Sequence, residues 1–182
     1  MNPVEQAVRQ WLASVVIGLN LCPFAAHPTQ GGRVRIAVSA ARSAHELLAD
    51  LQLELTRLDD TPVAELETTL VAIPDFLSDF LDYNDFLDDV DALLDRYEWS
   101  GSYQVASFHP RYQFAGTHPD DAENLIGRAP YPLLHLLRED SVEAAIAHHP
   151  DPERIPDDNI ARLNALTSMD RDRLFAYLQD HG

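Results

Sequence analysis

The sequence predicts an α/β protein with a small, mostly parallel sheet of three strands, or at most four, covered by helices and followed by an α-helical C-terminal tail. Two observations predict this class. Segments with apolar residues at helical spacing alternate with short runs of branched and aromatic residues. Strand–helix–strand units of this kind place consecutive strands parallel through right-handed crossovers. The 182 residues, 46% of them hydrophobic, are expected to form one domain, with residues 151–182 as a candidate helical appendage.

The first three elements are a helix, a strand and a second helix. Residues 4–19 carry an apolar stripe at helical spacing, which predicts an amphipathic helix. Residues 33–39 alternate between branched apolar and polar side chains, the pattern of a half-buried strand. Residues 43–58 form the second predicted helix, with Ser43 as its N-cap and Glu46 completing a capping box.

The following elements repeat this alternation. Residues 68–73 are uncharged and branched, as expected of a strand buried on both faces. A helix is predicted after Pro74, and residues 103–108 are the third strand candidate. The prolines at 130 and 132 force an extended segment, after which we expect a short helix. Further helices are predicted near residues 140–148, 157–166 and 170–180.

The predicted helix between residues 74 and 99 is strongly acidic. Aspartates fill most positions between its apolar residues, which is typical of a solvated helix face. A calcium-binding loop is the alternative interpretation of these aspartates. That loop requires glycine where Leu87 stands and glutamate where Leu93 stands, so the calcium motif is excluded.

The charge of the chain excludes several classes of protein. The formal net charge is −17, all 13 basic residues are arginine, and 16 of the 30 acidic residues lie in residues 43–100. Such a balance excludes general nucleic-acid binding and gives no reason to expect a membrane partner. The N-terminus lacks a basic targeting region, and a single cysteine excludes intramolecular disulfides, so we expect a cytoplasmic protein. Residues 101–138 carry equal numbers of acidic residues and arginines and are spared this acidity.

The first candidate for chemistry is Cys22, which follows the first predicted helix and precedes Pro23. The functional interpretation makes it a nucleophile or a metal ligand, with Asn20 beside it as a substrate contact. The structural interpretation is a buried cysteine, because free cysteine is among the most buried residue types. Thiol reactivity depends on a basic or helix-N-terminal environment, which the sequence does not show.

The second candidate is the segment that begins at His109 and contains Arg111 and Tyr112. It follows the third predicted strand, and ligands of open α/β sheets bind beyond the carboxyl ends of the strands. Histidine transfers protons near neutral pH, and arginine holds a carboxylate or phosphate through two hydrogen bonds. The alternative is that these residues fix an irregular loop.

The third candidate is the proline-rich segment from Arg128 to Arg138. His135 and Arg138 are three residues apart and would share one face of the predicted short helix. Arg128 and Tyr131 precede that helix. It lies within residues 101–138, which have no net charge, and a segment relieved of acidity in so acidic a protein is what an anion-binding pocket would need.

Three stretches of the chain together resemble a known family. They are Trp11–Leu12 with Val16–Ala25, then Ser107–Ala115, then Arg128–Pro132 running to Leu134–Glu139. These motifs, in this order, resemble a family of bacterial proteins catalogued as domain of unknown function 1415, and the resemblance covers essentially the whole chain. It departs at Gly127–Pro130, where the family reads asparagine, arginine, serine, proline. The family name implies no activity, so the resemblance indicates which segments matter and not what they do.

The leading functional hypothesis is an enzyme, or an enzyme-like pocket, acting on a small anionic molecule. Cys22 would be the nucleophile or a ligand, His109 the acid or base, and His135 would assist. The substrate contacts would be Asn20, Arg111, Tyr112, Arg128, Tyr131 and Arg138.

Two alternatives stay open at the level of the sequence. The first is a metal site formed by Cys22, His109 and His135, although no close pair of residues has a recognised metal-binding spacing. The second is a non-catalytic protein whose acidic helix contacts a basic partner. The sequence does not define a cofactor or an oligomeric state.

Overall fold

The structure, a computed structural model, describes residues 2–181. Its α-helices are α1 (Pro3–Trp11, continued by a wider π-helical segment over Leu12–Ile17), α2 (Ala26–Gln30), α3 (Ala44–Asp60), α4 (Phe80–Arg96), α5 (Glu139–His148), α6 (Ile155–Asn164) and α7 (Ser168–Leu174). The strands are β1 (Val34–Val38), β2 (Thr68–Ala72), β3 (Tyr103–Phe108) and β4 (Leu133–Arg138). Short 3₁₀ helices cover Ala122–Gly127, Pro152–Arg154 and Ala176–His181.

Side-chain caps explain where the two long helices begin. Ser43 accepts a hydrogen bond from the backbone N–H of Glu46 at 3.3 Å, as the predicted N-cap requires. The carboxylate of Glu46 accepts from the backbone N–H of Arg42 at 2.7 Å, one residue before the cap. Asp79 caps α4 by accepting from the N–H groups of Leu81 and Asp82.

The four strands of the described residues form one mixed sheet in the order β1-β2-β4-β3. β1 and β2 are parallel, whereas β4 is antiparallel to both β2 and β3, between which it lies. The α/β class, the upper limit of four strands and the helical C-terminal tail are therefore confirmed. The prediction of a mostly parallel sheet is wrong.

The error comes from residues 133–138, which form β4 and not the expected short helix. This strand is central, so its Leu-Leu-His-Leu-Leu-Arg sequence lacks the alternation that identifies a half-buried strand. Side chains of a strand alternate between the two faces of the sheet. His135 and Arg138, expected on one helix face, consequently lie on opposite faces of the sheet.

One face of the sheet, which we call the packed face, is covered by α3 and α4. Leu47, Leu51, Leu55 and Leu58 of α3 are fully buried against sheet residues that include Leu134 and Leu136. Tyr83 of α4 is fully buried as well, and its hydroxyl donates to the carbonyl of Leu133 at 2.6 Å. The aspartates of α4 from Asp82 to Asp95 are exposed to solvent, as its helical pattern predicts.

The opposite face, which we call the cavity face, is covered by the two ends of the chain. Trp11 and Val15 from the first helix and Leu163 from α6 are buried in one cluster with Ala72 and Leu133 of the sheet. The amide of Asn159 in α6 donates to the carbonyl of Leu21 at 2.7 Å, which joins the tail to the N-terminal segment. No helix of the described residues is both long enough and apolar enough to traverse a bilayer.

Candidate functional site

The cavity face contains a cavity of about 250 Å³, which we call the sheet cavity. Its floor consists of two rows of side chains that run across the sheet. The strand register places Val34, Thr68, Leu137 and Gln104 in the first row and Leu70, His135 and Ala106 in the second. Because neighbouring strands lie about 4.8 Å apart, this floor extends roughly 14 Å from β1 to β3.

Two segments form the walls of the sheet cavity. One is the turn after the first helix together with α2, which contributes Cys22, Phe24 and Thr29. The other is α5, which contributes Ser141, Val142 and Ala145. The rings of Phe24 and His149 meet edge to face with their centroids 5.8 Å apart, so the first wall contacts the end of the second. Most of the side chains that line the cavity are apolar.

His135 is the titratable group in the floor of the sheet cavity. Its Nε2 atom lies 2.7 Å from the hydroxyl oxygen of Thr68, which in turn donates to the carbonyl of Leu136 at 2.6 Å. Burial lowers the pKa of His135 to about 4, because loss of hydration disfavours the charged imidazolium. The ring is consequently neutral at physiological pH.

Cys22 borders the same cavity from the first wall and is half-buried. Burial raises the pKa of its thiol, and backbone N–H groups of Phe24 and Ala25, which hydrogen-bond the sulfur, oppose that rise without cancelling it. The resting side chain is therefore a thiol. The structure thus brings together two of the predicted chemical residues, Cys22 and His135, from distant parts of the sequence.

A charged cluster lies beside the first wall. The guanidinium of Arg33 forms an ion pair with the carboxylate of Glu67, which lines the sheet cavity. A second nitrogen of Arg33 lies 2.8 Å from Nδ1 of His27. Both charges of the Arg33–Glu67 pair are largely withdrawn from solvent, so neither is a free charge for a ligand.

His109, the predicted acid or base, lies apart from this cavity. It is fully buried beside Phe80 and Tyr83 on the packed face. Its Nε2 donates to the carbonyl of Leu77 at 3.0 Å, and its Nδ1 accepts from the backbone N–H of Arg111 at 2.9 Å. Both nitrogens therefore connect backbone segments, including Leu77, whose φ of 57° is strained for a leucine.

Arg128 and Arg138, predicted to bind an anion, bind backbone carbonyls. Arg128 donates to the carbonyls of Tyr112 at 3.1 Å and Pro119 at 2.7 Å. One terminal nitrogen of Arg138 lies 2.6–3.0 Å from the carbonyls of Leu58, Thr61 and Leu66. Arg138 borders the sheet cavity, but its guanidinium makes these bonds on the packed face of the sheet.

The other residues predicted to contact a substrate are distributed over the loops. Asn20 is exposed with a φ of 51°, and its carbonyl accepts from Arg162 at 3.1 Å. Arg111 is exposed in the loop after β3, and Tyr131 packs against the core of the cavity face.

Tyr112 occupies a crowded position in the loop after β3. Its ring lies between those of Phe80 and Phe114, with centroid distances of 5.1 and 4.9 Å. A Cβ on Gly127 would fall 2.5 Å from the same ring, so this packing requires glycine at position 127.

The alternative metal site is not assembled in the described part of the chain. Among residues 2–179, whose side chains the structure describes, no group of three or more Cys, His, Asp or Glu side chains is placed to hold a metal ion. Cys22 and His135 line the cavity face, whereas His109 is buried beneath the packed face.

Comparison with known proteins identifies the family. The model of the family described as "Protein of unknown function (DUF1415)" matches residues 3–173. The chain belongs to this family. No curated protein and no solved structure matches the chain. The family description assigns no activity, so the chemistry of this family member has to be inferred from its site.

Thr68 is the important site residue that the sequence patterns did not reveal. It stands in an uncharged strand segment whose pattern indicates only burial. Its partners, His135 and the carbonyl of Leu136, belong to β4, and a contact between them depends on the pairing of β2 with β4. The only available signal was the hydroxyl itself, since a threonine in a fully buried strand requires a hydrogen-bond partner.

Proposed function

We propose that this protein binds a small, neutral, largely apolar molecule in the sheet cavity, between the β-sheet, the Cys22 turn and α5. One observation supports this proposal above the others. The two predicted chemical residues, Cys22 and His135, border a single cavity whose other walls are mostly apolar. Concave, mainly apolar sites with a few polar groups are the usual form of small-molecule sites.

The size of the cavity limits its ligand. An apolar cavity of about 150 Å³ accommodates benzene, so a cavity of 250 Å³ suits a molecule of about ten non-hydrogen atoms. Burial of such a molecule is favourable by about 25 cal/mol for each Å² of apolar surface removed from water. The shape of the floor, which crosses four strands, favours a flat or elongated molecule.

The electrostatics of the cavity favour a neutral ligand over the anion proposed from sequence. The carboxylate that lines the cavity is that of Glu67, and Arg33 balances its charge. Its partner Arg33 is already paired, and the guanidinium of Arg138 is bonded to carbonyls of the opposite face. An anion in the cavity would lose its hydration without an unpaired guanidinium of Arg33 or Arg138 to replace it.

The protonation states of the two chemical residues favour binding over catalysis. A general base works best when its pKa lies near the working pH, whereas the pKa of His135 is about 4. A cysteine nucleophile works as a thiolate, whereas burial raises the pKa of Cys22. Neutral His135 is suited to accepting a hydrogen bond, and the Cys22 thiol to packing beside a ligand.

A pair of matched probes tests this proposal. Toluene and benzoate share one ring and differ in charge, and their binding is followed through the methyl resonances of Leu137 and Ala106. We expect toluene to bind at least tenfold more tightly than benzoate. Tighter binding of benzoate, or of inorganic phosphate, would support the anionic ligand and contradict the proposal.

A matched pair of variants locates the binding. Ala145→Leu places extra volume in the cavity from α5, whereas Ala147→Leu adds the same volume at an exposed position of the same helix. We expect Ala145→Leu to abolish toluene binding and Ala147→Leu to leave it unchanged. Equal binding by both variants would place the ligand elsewhere.

A further inference from the structure

We propose that the ligand of the sheet cavity carries a hydroxyl group, as phenols and short alcohols do, and that this hydroxyl donates a hydrogen bond to Nδ1 of His135. The inference rests on the proposed function, because it names the ligand class of the same cavity. It goes further by assigning a direction to the hydrogen bond between the ligand and His135.

The direction follows from Thr68. The carbonyl of Leu136 can only accept, so the hydroxyl hydrogen of Thr68 is committed to the 2.6 Å bond with that carbonyl. The 2.7 Å contact between Thr68 and Nε2 of His135 therefore requires the hydrogen to be on Nε2. A neutral imidazole has one N–H group, so Nδ1 carries a lone pair.

The lone pair on Nδ1 is available to a ligand. Nδ1 has no hydrogen-bond partner among residues 2–179, whose side chains the structure describes, yet it is not sealed inside the protein. The sealed side-chain nitrogen and oxygen atoms without partners in that part of the chain belong to Thr69, Arg138 and Arg171. His135 lines the sheet cavity, so Nδ1 is open to a molecule that occupies it.

This arrangement selects donors over acceptors. A ligand hydroxyl would complete the chain of hydrogen bonds from ligand to His135, Thr68 and the carbonyl of Leu136. An ether, a ketone or a carboxylate would instead place a lone pair against that of Nδ1. A site built to bond one polar group discriminates strongly against analogues that lack it.

Thr68 is a positioning residue in this account, since it acts through His135. Thr68→Val removes the acceptor that holds the hydrogen on Nε2, whereas Thr68→Ser retains it. Long-range ¹H–¹⁵N spectra of the imidazole report the tautomer directly. We expect the Nε2–H form alone in the natural protein and in Thr68→Ser, and a mixture of both tautomers in Thr68→Val.

The test compares phenol, toluene and anisole in the same titration. Phenol and toluene differ only by hydroxyl and methyl, and anisole has the oxygen without the hydrogen. We expect phenol to bind about tenfold more tightly than either of the others, the effect of one hydrogen bond to a buried acceptor. In His135→Leu that preference should fall below threefold, whereas His45→Leu, the same substitution at an exposed position of α3, should retain it. Thr68→Val should lower the preference only in part, because its mixture of tautomers still includes the form with a lone pair on Nδ1.

The outcomes separate this inference from the proposed function. Equal binding of the three probes by the natural protein would overturn the hydroxyl inference and leave the apolar cavity intact. Tighter binding of anisole than of phenol would also overturn it, since it would show that His135 donates. Binding of none of them would overturn the proposed function itself.

Discussion

The two faces of the sheet are built from the same strands but use their polar residues differently. On the packed face, His109 and Arg138 are bonded to backbone carbonyls, and α3 and α4 each bury five residues. On the cavity face, α5 buries none of its residues, and His135 keeps one nitrogen unbonded within the described chain. Residues that carry chemistry in many proteins therefore stabilise one face here, whereas His135 on the other face borders a mostly apolar cavity.

The difference between the two faces is open to a direct mutational comparison. Leu136 and Leu137 are neighbours in β4, but Leu136 is fully buried on the packed face and Leu137 lines the sheet cavity. We expect Leu136→Ala to lower the free energy of unfolding by about 2–5 kcal/mol, the range for a leucine in a close-packed core. Leu137→Ala should lower it by less than about 1.5 kcal/mol, because part of that side chain already borders empty space. Chemical denaturation measures both, and equal losses would mean that the two faces are equally packed.

The low pKa of His135 predicts a second, smaller effect on stability. The unfolded chain takes up a proton on this histidine near pH 6.5, whereas the folded protein does so only near pH 4. The free energy of unfolding therefore decreases as the pH falls through this window. Above pH 6.5 the histidine is neutral in both states and causes no loss of stability. Between pH 7 and pH 5 the loss of stability due to His135 should amount to about 2 kcal/mol.

The matched control for this effect is His135→Gln, which has no titrating group at this position. The carboxylates titrate in both proteins, so the difference between their denaturation curves isolates His135. The natural protein should lose more stability on acidification than the variant. Parallel pH profiles for the two proteins would contradict the assignment of a desolvated, uncharged His135.

The smallest expected effect concerns motion of the cavity wall. α5 buries no residue, whereas α3 buries Leu47, Leu51, Leu55 and Leu58 completely. Helices with few buried contacts open through low-energy local fluctuations. Amide hydrogens of α5 should exchange with solvent at least tenfold faster than those in the centre of α3, and toluene should slow the exchange in α5. Equal protection in the two helices would show that α5 is a fixed wall.

Much of the fold was predictable because its signals are local. The periodicity of residues 43–58 and the alternation in residues 33–39 correspond to α3 and β1, and the run of residues 103–108 matches β3. β4 was not predictable in this way, because a strand buried on both faces loses its alternation. That single misassignment changed the sheet from mixed to mostly parallel and placed His135 and Arg138 on one face.

The site was predictable only in its parts. Cys22 and His135 were candidates from sequence, and both line the sheet cavity. His109 and Arg128 are residue types common in active sites, but here their side chains bond backbone carbonyls. No sequence motif distinguishes this structural role from a catalytic one. Thr68 could not be recognised, since its role depends on a contact across the sheet.

Contacts to a bound probe show which face of the sheet holds the ligand. Nuclear Overhauser effects between toluene protons and selectively labelled methyl groups of Leu136 and Leu137 distinguish the two faces, because these side chains point to opposite sides of β4. We expect contacts from toluene to Leu137 and to Ala106, and none to Leu136. Contacts to Leu136, or contacts confined to residues outside the sheet cavity, would contradict it.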